Sequence, residues 1–210
     1  MPVAEQRPTL AERRKAETRL DIARIAARLF AEHGTAEVTA DRIAAEAGIG
    51  LRTFYRYART KEDAVEPMLT TGAQRWIEAI STGPHRLPTL DELEVAAVQA
   101  VTVEVGEDFE LTRGLLRAME TDPALRAVWH RINMEGEREL RCALAELAGP
   151  DADPVRLRLL AAAAAGAIRI ALEQWAIADG TGSVGASAAA GESTPAALVV
   201  RCIRALGAGL

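Results

Sequence analysis

At 210 residues, 49% hydrophobic but only 4% aromatic, the chain can bury a core in one large domain or in a small and a medium one, and much of its apolar content is Ala and Leu, strong helix formers. The first twenty residues mix Arg, Lys and Glu with no apolar stretch, and the longest apolar run, Leu159 to Ile168, lies between Arg158 and Arg169 and falls short of the ~20 residues that span a bilayer, so neither a secretory leader nor a membrane anchor is expected. The net charge of −5 is unevenly spread, with 12 Lys+Arg against 9 Asp+Glu in residues 1–62 and 13 against 21 in residues 63–210, a basic head on an acidic body.

Thr9 and Glu12 have capping-box spacing, and Ile22, Ile25, Ala26, Leu29 and Phe30 fall at i, i+3, i+4, i+7 and i+8, which predicts a first amphipathic helix ending at Gly34. Thr18 is a second possible cap, so residues 1–13 are expected to form a flexible arm, which Arg14 and Lys15 could extend. Thr39 caps a short second helix holding Ile43, Ala44 and Ala47; Gly48 is placed to stop it in a left-handed conformation, and Gly48-Ile49-Gly50 is the turn. A third helix is expected over Leu51–Tyr57, with Phe54 turned inward toward Ile43 and Phe30. Thr60 and Glu62 open a fourth, which runs past Trp76 and Ile80 to the breaker Ser81-Thr82-Gly83-Pro84.

Further helices are expected over Leu90–Val105 and Phe109–Thr121. Pro123 then starts a long one with Leu125, Val128, Trp129, Ile132, Gly136, Leu140, Leu144 and Leu147 on one stripe, closed by Gly149-Pro150. Pro154 begins another, to Ala178, apolar on two faces, and its Ala161–Gly166 run is thin enough for helices to approach closely on both sides. Residues 180–195, rich in Gly, Ser, Ala and Thr, are expected to be a flexible loop before a last helix over Ala196–Leu206. The fold class is therefore all-α: a three-helix head over residues 1–60 and a larger helical body over 61–210, about nine helices in all.

Two short helices joined by a tight Gly-containing turn, with another behind them, are the helix-turn-helix layout. The segment 51–61 adds chemistry to it. Arg52, Arg56, Arg59 and Lys61 supply phosphate or base contacts, Tyr55 and Tyr57 flat rings with a hydroxyl, and Thr39 and Thr53 small hydroxyl donors. The competing reading is a solvated helix whose tyrosines cover the core. Catalysis has little foothold, because His33, His85 and His130 are isolated and no GxGxxG or HExxH occurs; an all-α enzyme is a remote alternative. Cys142 and Cys202 lie far apart with no CxxC or His partner, so they are expected to be small buried hydrophobes, with no metal and no cofactor.

Leu29-Phe30, His33-Gly34, Thr39, Ile43-Ala44, Ala47-Gly48-Ile49, Thr53-Phe54-Tyr55-Arg56-Tyr57 and Lys61-Glu62 fall, without a gap, where the tetracycline-repressor (TetR) family has its N-terminal DNA-binding motif. Over residues 14–65 the chain resembles that family; the remainder carries no motif of equal strength. The resemblance implies that Thr39 caps the second helix and touches a phosphate, and that Leu51, Arg52 and Thr53 lie nearest the base edges. It implies that Tyr55 packs on the sugar-phosphate backbone, that Arg56 and Tyr57 lie at the backbone or groove edge, and that Lys61 meets a phosphate. Arg42 is a further contact from the second helix, and Arg14 and Lys15 could reach the minor groove or a phosphate. Ala58 stands where the family usually has Phe, Arg59 replaces the usual Pro or Gly, and Gly50 replaces a frequent Ser or Thr cap; the first of these puts the orientation of the third helix in question.

One such head reads only a few base pairs, so two copies about 34–36 Å apart on a palindromic double-stranded operator are expected. The resemblance implies a homodimer joined through the last two long helices, with Ala162, Gly166, Leu198, Val199, Cys202, Ile203 and Leu206 as candidate interface and intramolecular core as the alternative. It also implies a small-molecule effector in the body that shifts the protein off DNA, with Trp76, Phe109, Met119, Trp129, His130, Met134 and Trp175 as candidate lining. The acidic body favours a cationic or neutral ligand, whereas Arg113, Arg117, Arg126 and Arg131 suit an acidic or acyl-CoA-like one. The expected function is a cytoplasmic, sequence-specific transcriptional regulator, a repressor in the family's usual direction. A ligand-binding helical module without DNA binding is the alternative, to which Ala58 points.

Overall fold

The computed structural model describes residues 9–102, 107–178 and 193–208, which hold nine α-helices, one short 3-10 helix and no strand. The chain divides into two compact units, residues 1–68 and 69–210, and the division falls inside helix α4 (Glu66–Ser81).

In the first unit, α1 spans Leu10–His33. The Glu12 N–H donates to the Thr9 hydroxyl at 3.2 Å and the Thr9 N–H donates to the Glu12 carboxylate at 2.7 Å, a complete capping box. Residues 10–13, expected in a flexible arm, are therefore helical. Thr18, the other possible cap, lies inside the helix and donates its hydroxyl back to the Arg14 carbonyl at 2.9 Å. Residues 1–8 of the expected arm lie outside the described residues. Gly34 at φ 74° ends α1, and Gly48 at φ 66° turns the chain after α2 (Ala40–Glu46), both left-handed conformations that favour glycine.

The third helix, α3, covers only Leu51–Phe54. Beyond it the chain tightens: the Arg56 N–H donates to the Thr53 carbonyl at 3.1 Å and the Tyr57 N–H to the Phe54 carbonyl at 2.8 Å, three-residue spacings rather than the α-helical four. The fourth helix likewise begins later than Thr60, after a 3-10 helix at Asp63–Val65 that the Thr60 hydroxyl caps by accepting the Asp63 N–H at 3.0 Å. α1 packs on α2 and on the 3-10 helix, and α2 packs on α3. Ile22, Ala26, Leu29, Phe30, Ile43, Phe54, Ala58 and Val65 are buried in this unit.

The second unit continues with α5 (Leu90–Thr102), α6 (Glu107–Ala118), α7 (Pro123–Ala148), α8 (Pro154–Ile177) and α9 (Pro195–Ala208). The expected extension of α5 to Val105 and the expected loop residues 180–192 lie outside the described residues. Pro195, placed in that loop by the sequence pattern, is the first residue of α9. α7 and α8 open alike, with Pro in the first turn behind an Asp cap. The Asp122 carboxylate accepts the Ala124 and Leu125 N–H groups at 2.8 and 3.0 Å, and Asp153 accepts that of Val155 at 2.9 Å. α8 is central, packed by α6, α7 and α9, and α9 also lies on α5. That last approach is close enough that a Cβ at Gly207 would fall 2.7 Å from the Leu90 Cδ1.

Leu125, Val128, Trp129, Ile132, Leu140, Leu144 and Leu147 of α7 face inward. Cys142 does not: it is exposed, because that stripe turns position 142 outward, and Cys202 is half-buried. Neither is the buried hydrophobe that composition suggested. Among the described residues no helix is long and apolar enough to cross a membrane.

The start of α5 holds a titratable lock. Arg86 makes a bidentate ion pair with Glu92 at 2.7 Å to each oxygen, and the Thr89 N–H donates to the same carboxylate at 2.8 Å. The Arg86 hydrogen bonds, then the Thr89 N–H, hold the Glu92 carboxyl down to about 2. A depressed folded-state pKa contributes stability above the ordinary value of 4.5 that is lost as pH falls toward 2. Carboxyl-detected NMR titration is expected to place Glu92 well below the other glutamates and to move it upward in Arg86→Ala; an ordinary Glu92 titration in the native chain would contradict the lock.

Candidate nucleic-acid interface

The head is organised around Phe54, which is fully buried and braces α3 from behind; its ring meets that of Tyr55 edge-on at 5.4 Å between centroids. With Phe54 turned in, the helical period turns its neighbours out. Arg52, Tyr55 and Arg56 are exposed, Leu51 is exposed at the N-terminal end of α3, and Thr53 and Tyr57 are half-buried. The Arg56 guanidinium lies over the Tyr57 ring at 5.9 Å. Across the turn, the Thr39 hydroxyl accepts the Arg42 N–H at 3.2 Å, so Thr39 caps α2 as expected. Thr39 and Arg42 are both exposed.

Two placements were not legible in the sequence. Lys61 is half-buried, and its ammonium donates to the Thr35 carbonyl at 2.5 Å and the Val38 carbonyl at 2.8 Å, which fastens the loop between α1 and α2. The Arg42 guanidinium is paired with the His33 Nε2 at 2.7 Å, which ties the end of α1 to α2. Both bonds join residues distant in sequence, and no local pattern announces them. Arg59 pairs with Asp63 at 3.2 Å. Ala58, the departure from the family motif, is buried, and its N–H donates to the Phe54 carbonyl at 3.1 Å, so the segment after α3 stays wound onto the head.

In the second unit the seven residues expected to line an effector pocket have different surroundings. Phe109 and Trp175 do meet, ring centroids 4.3 Å apart, with the Arg113 guanidinium 5.5 Å from the Trp175 ring. Trp129 donates its indole N–H to Glu173 at 2.7 Å, and Arg169 pairs with the same carboxylate at 2.9 Å. Trp76 donates to the Leu93 carbonyl at 3.3 Å, and Met119 is buried. His130 and Met134 are exposed on α7. A separate groove of about 350 Å³ is lined by Ile80, Pro88, Val95, Ala96 and Leu147 beside the Arg86–Glu92 pair, and none of the seven residues borders it.

The interface candidates also divide. Leu198, Val199 and Ile203 of α9 are buried within the single chain, because α9 is clasped by both α5 and α8. They belong to the core and offer no surface to a partner, and Cys202 and Leu206 are half-buried. Ala162 and Gly166 of α8 are half-buried, and nothing lies within 4 Å of where a Cβ at Gly166 would stand. They share an outward stripe with Val155, Leu159, Ile170 and Ile177, exposed by 65%, 66%, 44% and 45%.

Known proteins bear directly on the head. Residues 22–66 match the model of the bacterial regulatory proteins, tetR family. Over 175 residues, 80% of this chain and 77% of the relative, the sequence is 27% identical to the HTH-type transcriptional regulator TcmR of Streptomyces glaucescens. Among solved structures, a TetR-family transcriptional regulator of Mesorhizobium loti is similar in fold, with a TM-score of 0.50 and 19% identity over 92% of this chain and 98% of that one. With a capped α2, a braced α3 that turns Arg52 outward, and a helical second unit, the chain is a DNA-binding transcriptional regulator whose residues 22–66 match the tetR-family model.

Proposed function

We propose that the chain is a ligand-released repressor that binds a palindromic operator as a homodimer in the cytoplasm, with Leu51, Arg52 and Thr53 reading base edges in the major groove. The observation that carries this reading is the outward set of Arg52 on α3 and Tyr55 and Arg56 in the turn that follows it, locked from behind by Phe54. An exposed guanidinium suits bidentate contact with a guanine edge, whereas Tyr55 and Arg56 suit the backbone. Thr39 and Arg42 add backbone contacts from α2.

The outer stripe of α8 supports the dimer. Positions 155, 159, 162, 166, 170 and 177 recur at helical spacing, and the space at Gly166 lets a second α8 approach closely. The Phe109–Trp175 pair with Arg113 is the best-assembled part of the effector site, and α4 carries the chain from the body to the head. An effector bound more tightly in the DNA-free arrangement would shift the population off the operator.

Arg52 and Lys61 separate reading from anchoring. Arg52→Ala is expected to relax base preference at one position of each half-site, at a cost of about 1–3 kcal/mol for the preferred base. Lys61→Ala removes two hydrogen bonds from a charged donor, so it is expected to weaken all sequences alike and to lower the thermal stability of the head. Binding-site selection on both variants checks this; an unchanged preference in Arg52→Ala would contradict the assignment. The function itself is tested by gel shift on DNA flanking the chain's own gene, with and without candidate effectors.

A further inference from the structure

The groove of about 350 Å³ in the second unit opens where the end of α4, the connector to α5 and the end of α7 come together. Its floor is apolar: Ile80, Ala96 and Leu147 line it and are buried. Val95 also borders it and is exposed, an uncovered branched side chain one turn from Gln99 on α5. The connector is held stiffly. The Gly83 N–H donates to the Ile80 carbonyl at 3.0 Å, Pro88 fixes its own φ, and Glu92 clasps Arg86. A preformed apolar recess with a few polar groups at its edge suits a small organic molecule.

Charge narrows the class of that molecule. The charged side chains of the lining are Arg86, Asp91 and Glu92, one cation against two carboxylates, a net charge of −1. Arg86 and Glu92 neutralise each other through their bidentate pair at 2.7 Å, which leaves the exposed Asp91 as the uncompensated charge of the groove. Arg204, which also attracts Asp91, is itself held by Glu94 at 2.8 and 2.9 Å. The arginines suited to an acidic ligand are turned elsewhere. Arg113 and Arg117 donate to the Ala178 and Ala176 carbonyls at the end of α8, Arg126 donates to those of Met119 and Glu120, and none of the three lines the groove.

We propose that this groove binds a small organic cation, an amine on an apolar body, with the body against Ile80, Val95 and Leu147 and the ammonium at Asp91. Burial of the apolar body supplies most of the affinity, and the carboxylate sets the preference for a positive end. One unit charge about 4 Å away in water changes an equilibrium about fivefold. The site is separate from the Phe109–Trp175 pair and stands whether or not the chain binds DNA.

The test is a methyl-detected NMR titration of the full chain with three probes of one shape: 4-phenylbutylamine, charged at neutral pH, the uncharged 4-phenylbutanol, and 4-phenylbutanoate. The amine is expected to shift the methyls of Ile80, Val95 and Leu147 and to bind about fivefold more tightly than the alcohol at low salt, with the carboxylate weakest. That advantage should shrink in about 1 M salt, where the screening length is about 3 Å. Asp91→Asn is expected to bring the amine down to the affinity of the alcohol and to leave the alcohol unchanged. Val95→Arg places a cation beside the ammonium and should abolish binding of the amine. Both substitutions fall at exposed positions of α5, and unshifted Leu140 and Leu144 methyls check that the core is kept. Methyls of Ile80, Val95 and Leu147 that stay unmoved by the amine, whether or not it binds elsewhere, would overturn the site. Equal affinity for amine and alcohol in the native chain, or an amine preference that survives Asp91→Asn, would overturn the charge assignment.

Discussion

Phe54→Ala is expected to unfold the head and abolish DNA binding while the helical body stays folded. Phe54 has no exposed surface, and it sits in a unit whose other buried side chains are modest: Ile22, Leu29, Ile43, Val65 and several alanines beside Phe30. Truncating a buried Phe costs about 3–5 kcal/mol, and a unit of this size has a total stability of comparable magnitude at roughly 0.05–0.15 kcal/mol per residue. Ala58, one turn on and buried, is too small to fill the cavity. Native-state hydrogen exchange separates the two units without assuming a single transition. The amides of Ile43 and Ala44 should lose protection while those of Leu140 and Leu144 keep it. Undiminished protection in α2 would show that the core is not organised around this ring.

The second large effect lies on α8. Introducing Leu159→Glu together with Ile170→Glu is expected to dissociate the proposed homodimer, because two carboxylates would be desolvated against an apolar face. Both side chains are exposed in the single chain, so the substitutions leave its core intact. Losing the tethered second head should weaken operator binding by about 10²–10⁴-fold, the usual gain from linking two weak sites. Sedimentation analysis reads the assembly and anisotropy the affinity. A variant that remains dimeric would move the interface elsewhere, and a native chain that sediments as a monomer would remove it altogether.

Much of this was legible in the sequence where the cause is local. Thr39 caps α2 because a hydroxyl at that position can reach an otherwise unpaired N–H, and Gly34 and Gly48 take left-handed conformations for want of a Cβ. Pro123 and Pro154 mark the starts of α7 and α8 for the same kind of reason, and the structure adds an Asp cap before each. Periodicity told which residues share a face but not what that face meets. Of the α9 stripe, Leu198, Val199 and Ile203 are buried in the single chain because α5 lies on its other side, which only tertiary packing shows. The α8 stripe had the opposite outcome, with Leu159 and Ile170 outward. At the site, the outward Arg52 and Arg56 were readable from the position of Phe54, whereas the Lys61 and Arg42 tethers were not, because their acceptors lie 26, 23 and 9 residues away. Bulk, the property that marks the expected effector residues, is shared by core and pocket; Phe109 and Trp175 come together, while His130 and Met134 are exposed.

The central claim is that the outward edge of α3 reads DNA. Its most direct measurement is the affinity of the native chain for upstream DNA of its own gene against a random-sequence competitor, across a range of salt. The expected result is binding that falls linearly in log–log salt dependence and prefers one upstream site over the competitor by about 10³ or more. Equal affinity for both duplexes, or none that responds to salt, would contradict it.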